Sequence, residues 1–123
     1  MRYDPTAAPD GLSWLQADEG ERLEAVFHQH ERAREVAGNL RLHAAIHVTV
    51  ETQLAEGHGA IVRTMQRLLA QSLDRHDALH AIGSVVAEQM LAVLKGRSFD
   101  AADYETRLDA LSATSWRDGL RKG

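Results

Sequence analysis

The chain has 123 residues, a formal net charge of −4 and no cysteine. This length suits one domain with a single core, and 44% hydrophobic with 26% charged residues is an ordinary globular composition. The acidic balance and scattered arginines argue against a nucleic-acid partner. The lack of cysteine excludes disulfides, thiolate metal sites and cysteine nucleophiles. With no signal-like N-terminus and no segment of about 20 apolar residues, we expect a cytoplasmic protein that does not enter a membrane.

The two ends of the chain differ from its middle. Pro5 and Pro9 oppose helix formation in residues 1–12, so we expect an extended N-terminal arm there. Residues 13–113 show helical periodicity and should form a single helical domain. Residues 114–123 are mostly polar, and we expect a C-terminal tail that frays.

Capping residues and glycines divide the middle of the chain into helices. A capping box at 13–16, beginning with Ser13, predicts one short turn. About five longer helices are predicted from N-caps at Asp18, Asn39, Asp74 and Asp100 and from stops at Gly38, Gly57 and Gly96. They cover about residues 19–37, 40–55, 60–72, 75–95 and 101–112. Short loops favour antiparallel neighbours. The predicted fold is therefore all-α, a compact helical bundle of about five helices.

The predicted helix 40–55 carries two histidines close to its apolar face. At about 100° per residue, Leu42, Ile46 and Val50 form one stripe. His43 falls inside this stripe and His47 at its edge. We therefore expect both imidazoles to point toward the interior, with His43 the more deeply placed.

The predicted helix 75–95 repeats this arrangement. His76 falls inside an apolar stripe that continues to Leu94, and His80 falls at its edge. Both helices thus share an HxA(I/L)H pattern with the same offset from the apolar face. On the predicted helix 19–37, His30 lies on the apolar face and His28 does not. The sequence predicts that these helices direct imidazoles into a shared interior space.

Histidines at positions i and i+4 are a common way for helices to present metal ligands, because adjacent turns aim two rings at one point. The predicted metal ligands are His43, His47, His76 and His80, completed or supported by His30 or Glu51. Nitrogen and carboxylate donors without sulfur suit zinc, iron, manganese, copper or nickel, and no organic cofactor is implied. If the site were catalytic, Glu51 would be the candidate general base. The sequence leaves open whether the protein is an enzyme.

A plainer interpretation explains the same histidines without a metal. Inward-facing histidines also form buried polar networks that link helices, or lie in interfaces between subunits. Several amphipathic helices in a short chain could leave one apolar face uncovered. The alternative hypothesis is therefore a non-enzymatic homodimeric interaction module with a structural histidine network.

Two segments resemble an uncharacterised bacterial family, domain-of-unknown-function family 1841. They are LHAAIHVTVETQLA at 42–55 and LDRHDALHAIGSV at 73–85. The early residues from Trp14 to Arg22 are also similar, a family histidine matches His30, and the resemblance covers about residues 9–95. It implies a small helical protein without an established activity, and the same histidines and Glu51 as site residues. Gln29 and Thr52 depart from the family pattern, which expects an aromatic and an amide there.

Overall fold

The structure, a computed structural model, describes residues 1–33 and 39–122 of the chain. The described residues contain helices and no strand, so the predicted all-α class is confirmed. The helices are α1 (Gly11–Gln16), α2 (Glu19–Arg32), α3 (Leu40–Ala55), α4 (Gly59–Ala70), α5 (Arg75–Leu94), α6 (Ala101–Asp109) and α7 (Ala113–Lys122). The predicted helical segment 34–37 and the predicted stop at Gly38 lie outside the described residues.

The described residues form seven helices where about five were predicted, and both additions lie near the chain ends. The first, α1, begins at Gly11 because the Asp10 carboxylate accepts the Ser13 amide at 3.1 Å, so Ser13 lies inside the helix. The second, α7, occupies most of the segment expected to fray. Ser112 and Ser115 exchange side-chain-to-amide hydrogen bonds at its start, and Trp116 packs partly buried against the core.

The boundaries of the longer helices follow their predicted caps. Asp18, Asn39, Asp74 and Asp100 each accept a hydrogen bond from the backbone amide three residues later. Between α3 and α4 the chain reverses at Gly57, whose φ of 75° favours glycine. The local chemistry of these residues is sufficient to start and stop each helix.

The third helix, α3, lies at the centre of the bundle and contacts α1, α2, α4 and α5. One apolar cluster is built mainly from α4 and α5, with Val50 of α3 and Leu108 of α6. A second cluster joins the N-terminal arm, α1 and α2 to the opposite side of α3, around Trp14 and Val26. The helices α3 and α5 approach closely at Gly83, where a Cβ atom would lie 2.9 Å from Cγ2 of Ile46.

Two leucines assigned to the apolar stripes are exposed instead. Leu42, at the start of α3, is 48% exposed, and Leu94, at the end of α5, is 80% exposed. The single-stripe prediction was wrong for α3 because helices cover it on two sides, so its buried residues spread around the helix. Leu94 is the last residue of α5, where the helix end is exposed to solvent.

Among the described residues, α5 is long and apolar enough to cross a membrane by length and composition. Its buried residues include Leu79, Ile82 and Val86, and they face α3, α4 and α6. A helix that packs in a protein core meets the same criteria of length and composition.

Candidate metal centre

Five histidines from three helices meet where α2, α3 and α5 pack together. In the pairs of neighbouring imidazole rings, the two ring centroids lie 4.4 to 6.3 Å apart. The five are His30 of α2, His43 and His47 of α3, and His76 and His80 of α5. The shared interior space predicted from the sequence is therefore present, and we call these five residues the histidine cluster.

The histidine cluster contains two groups of three residues that could each hold an ion. In each group the candidate ligand atoms all lie within 4.8 Å of one another. The groups are His30, His43 and His47, and His47, His76 and His80. In a tetrahedral site with metal–nitrogen bonds of about 2.0–2.1 Å, ligand nitrogens lie about 3.4 Å apart. Small side-chain rotations would therefore bring either group to bonding distance.

His47 lies at the centre of the cluster and is the residue common to both groups. It is only 2% exposed, and neither of its ring nitrogens has a hydrogen-bond partner among the described residues. Burial, together with repulsion from the charged forms of His30 and His43, lowers the pKa of His47 to about 2. The ring is therefore neutral at physiological pH, the form in which imidazole binds metals.

The position of His47 corrects the rotational prediction for α3. His43 was expected to be the deeper of the two, but His43 is half-buried while His47 is buried. The difference arises because α2 and α5 both press on the side of α3 that carries His47. The sequence pattern alone treated that side as the edge of the apolar stripe.

His30 is oriented by a backbone carbonyl. Its Nδ1 lies 2.8 Å from the carbonyl oxygen of Val26. A carbonyl only accepts, so Nδ1 carries the proton and Nε2 carries the ring lone pair. Metal-binding histidines are commonly held in this way by a second hydrogen bond. The structure thus presets the tautomer in which His30 offers Nε2 as a ligand.

The two histidines of α5 lie closer to solvent than His47 and His30. His76 and His80 are each half-buried. Burial and the neighbouring His76 and His43 lower the pKa of His80 to about 4, although Asp74 opposes this shift. The α5 side of the cluster therefore contains a neutral imidazole and is partly exposed to solvent.

Glu51 lies one helical turn after His47 on α3, but it belongs to neither group of candidate ligands. Its carboxylate is 2% exposed and makes a bidentate ion pair with Arg75, with N–O distances of 2.6 and 2.9 Å. The hydroxyl of Tyr3 donates to the same carboxylate at 2.5 Å. Both oxygens are therefore engaged, which disfavours Glu51 as a metal ligand or general base.

Tyr3 and Arg75 were not identified as site residues from the sequence. The Tyr3 ring stands edge-on to His47, with centroids 6.4 Å apart, and its pKa is raised well above the usual range by burial and by Glu51. Arg75 also donates to the carbonyl of Pro5, which ties the N-terminal arm to α5. The available signal was Glu51 itself, because a carboxylate on a buried helix face requires a cationic partner.

Other polar candidates lie away from the cluster. His28 has a side chain that is 57% exposed and pairs with Glu24 and Glu31, as its position off the apolar face predicted. Glu88 is exposed and pairs with Arg107 at 3.1 Å. These residues offer matched controls for experiments on the histidine cluster.

No protein-family model, no curated protein and no solved structure matches the chain. The resemblance to domain-of-unknown-function family 1841 therefore stays a prediction.

Proposed function

We propose that the protein binds a transition metal ion through the histidine cluster. The observation that carries this proposal is His47, whose two buried ring nitrogens have no hydrogen-bond partner among the described residues. A buried polar group without a partner costs about 1–3 kcal/mol. A metal–nitrogen bond would satisfy such a nitrogen, and neighbouring histidines lie close enough to complete the site.

The alternative of a structural histidine network without a metal explains the surroundings of His47 less well. In such a network, rings exchange N–H donors and lone pairs, or donate to carbonyls, as His30 does with Val26. Among the described residues His47 does neither, although its ring lies next to the rings of all four other members of the cluster. A network would also leave the central ring as its least satisfied member, which is unfavourable.

The donor set narrows the metals expected at the site. With Glu51 committed to Arg75, the donors are imidazole nitrogens, which suit zinc, copper, nickel and iron. Manganese prefers carboxylate and other oxygen donors, so it fits less well than the sequence suggested. Three histidines leave an open position on a tetrahedral ion, a feature of catalytic sites. The cytoplasmic location stays a prediction.

Metal analysis of a tag-free preparation tests the proposal. The full chain is purified without a polyhistidine tag, stripped with a chelator, and titrated with Zn²⁺, Cu²⁺, Ni²⁺ and Fe²⁺ under anaerobic conditions for iron. We expect tight binding of at least one of them and a raised unfolding temperature. At a free ion concentration about 100 times the Kd, the stabilisation is about 2.7 kcal/mol.

Two variants separate the cluster from adventitious histidine binding. His47→Ala should lose the high-affinity binding, whereas His28→Ala, which alters an exposed histidine outside the cluster, should retain it. Equal affinity in both variants, or no thermal shift of the unmodified chain with any of the four ions, would refute the proposal.

A homodimeric interaction module remains the second proposal. The five histidines come from a single chain and pack against one another, so they need no second subunit to meet. The feature that favours self-association is the exposed apolar group at the end of α5 and in the following loop, formed by Leu91, Val93, Leu94 and Phe99. Light scattering tests it: a concentration-dependent dimer that Leu94→Glu abolishes supports it, and a strict monomer contradicts it.

A further inference from the structure

The two groups of candidate ligands are joined by a single ring. One group draws on α2 and α3 and the other on α3 and α5, and only His47 belongs to both. Rings of different groups are also adjacent, since the centroids of His43 and His80 lie 5.0 Å apart. Two ions bound by these groups would therefore be neighbours, with His47 between them.

The hydrogen bonding of His47 favours two bound metal ions over one. A neutral imidazole that binds one ion through one nitrogen keeps a proton on the other, and that N–H normally donates to an oxygen acceptor. His30 has such an acceptor in the Val26 carbonyl. His47 has none among the described residues, and both of its nitrogens are buried. One ion on His47 would leave a buried N–H unsatisfied, whereas a second ion removes that N–H.

We propose that the cluster binds two metal ions bridged by the imidazolate ring of His47, with His30 and His43 completing one site and His76 and His80 the other. This inference rests on the proposed metal binding. When the second ion binds, the remaining N–H bond of His47 breaks, a nitrogen–metal bond forms, and the proton passes to solvent. No electron is transferred. The positive charge of the first ion favours this loss of a proton.

The balance of charge is compatible with a pair of ions. The imidazolate contributes one negative charge, and three nitrogen ligands per ion leave an open position that a hydroxide or small anion can take. His76 and His80 are half-buried, so the α5 side of the cluster is partly exposed to solvent. Glu51 is already neutralised by Arg75 and need not take part.

Copper titration followed by electron paramagnetic resonance tests the bridge. The tag-free, metal-free full chain is titrated with Cu²⁺, and the bound copper and the integrated spin intensity are measured together. We expect two ions per chain, with a spin intensity per copper that falls as the second ion binds, because an imidazolate bridge couples the two unpaired electrons. His28→Ala should behave in the same way.

Variants of one group at a time identify the bridge. His30→Ala and His80→Ala should each bind one copper per chain with the full spin intensity of an isolated ion. His80 is half-buried, so this variant keeps the test available if the loss of the buried His30 prevents folding, which circular dichroism would show. His47→Ala should abolish the coupling.

The outcomes separate this inference from the proposed function. One copper per unmodified chain, or two with uncoupled spins, would overturn the bridge and leave metal binding intact. No bound copper, zinc, nickel or iron would overturn both proposals.

Discussion

Acidification should destabilise the metal-free protein through His47. Its pKa is about 2 in the folded state, compared with an ordinary value of 6.5. Between these values the unfolded chain binds a proton that the folded chain does not, so stability falls as pH decreases. The contribution of His47 is greatest above the unfolded pKa and declines as pH falls through 6.5 toward the folded value.

The size of this effect follows from the unfolded pKa. At about pH 5 an exposed histidine is almost fully protonated, and keeping His47 neutral in the fold then costs about 2 kcal/mol relative to about pH 8. His80, with a folded pKa of about 4, adds to this loss in the same direction. Its share should be smaller because the ring is half-buried and solvent screens its charge.

Urea unfolding at a series of pH values measures the effect, with a chelator present throughout. The free energy of unfolding of the unmodified chain should fall by at least about 2 kcal/mol between about pH 8 and about pH 5. In His47→Leu this loss should shrink by about 2 kcal/mol, and by more if the remaining rings relax once their central neighbour is removed. His28→Gln should keep the acid sensitivity of the unmodified chain. An identical pH dependence in His47→Leu and the unmodified chain would refute the reasoning.

Three further predictions concern the supports of the cluster and its metal. Arg75→Met should destabilise the fold by about 3–5 kcal/mol in urea unfolding, because it leaves the buried Glu51 carboxylate without its cation. Adding Glu51→Leu should recover much of that loss. A loss near zero in the single variant would contradict the ion pair. Gly83→Ala should lower the free energy of unfolding by about 1–3 kcal/mol and weaken metal binding, since its Cβ would meet Ile46 at 2.9 Å and push α5 away from α3. Unchanged stability and metal affinity would show that the two helices need not approach so closely. Bound metal should be released as pH falls, because protons compete for the imidazole nitrogens, and a pH-independent Kd in a competition assay would count against histidine ligands.

Much of the local structure could be predicted from the sequence. Asp18, Asn39, Asp74 and Asp100 cap helices where expected, because a side-chain cap bonds a backbone amide only three residues away. The pairing of His43 with His47, and of His76 with His80, is also local, since it depends on helical pitch alone. The prediction failed at α7, whose start depends on a reciprocal pair of serines and whose Trp116 packs against a distant part of the core.

Only the tertiary structure decided which of the candidate site residues are buried and which are held by ion pairs. The burial of His47 depends on α2 and α5, which both pack against the side of α3 that carries it. The role of Glu51 depends on Arg75 and on Tyr3, which lies near the start of the chain. Helical periodicity and capping are set within a turn or two of sequence, so the chain itself determined the helices and the histidine pairs they carry. Burial and ion pairing arise between segments that are distant in sequence, and packing alone determines which side chains lose their contact with water.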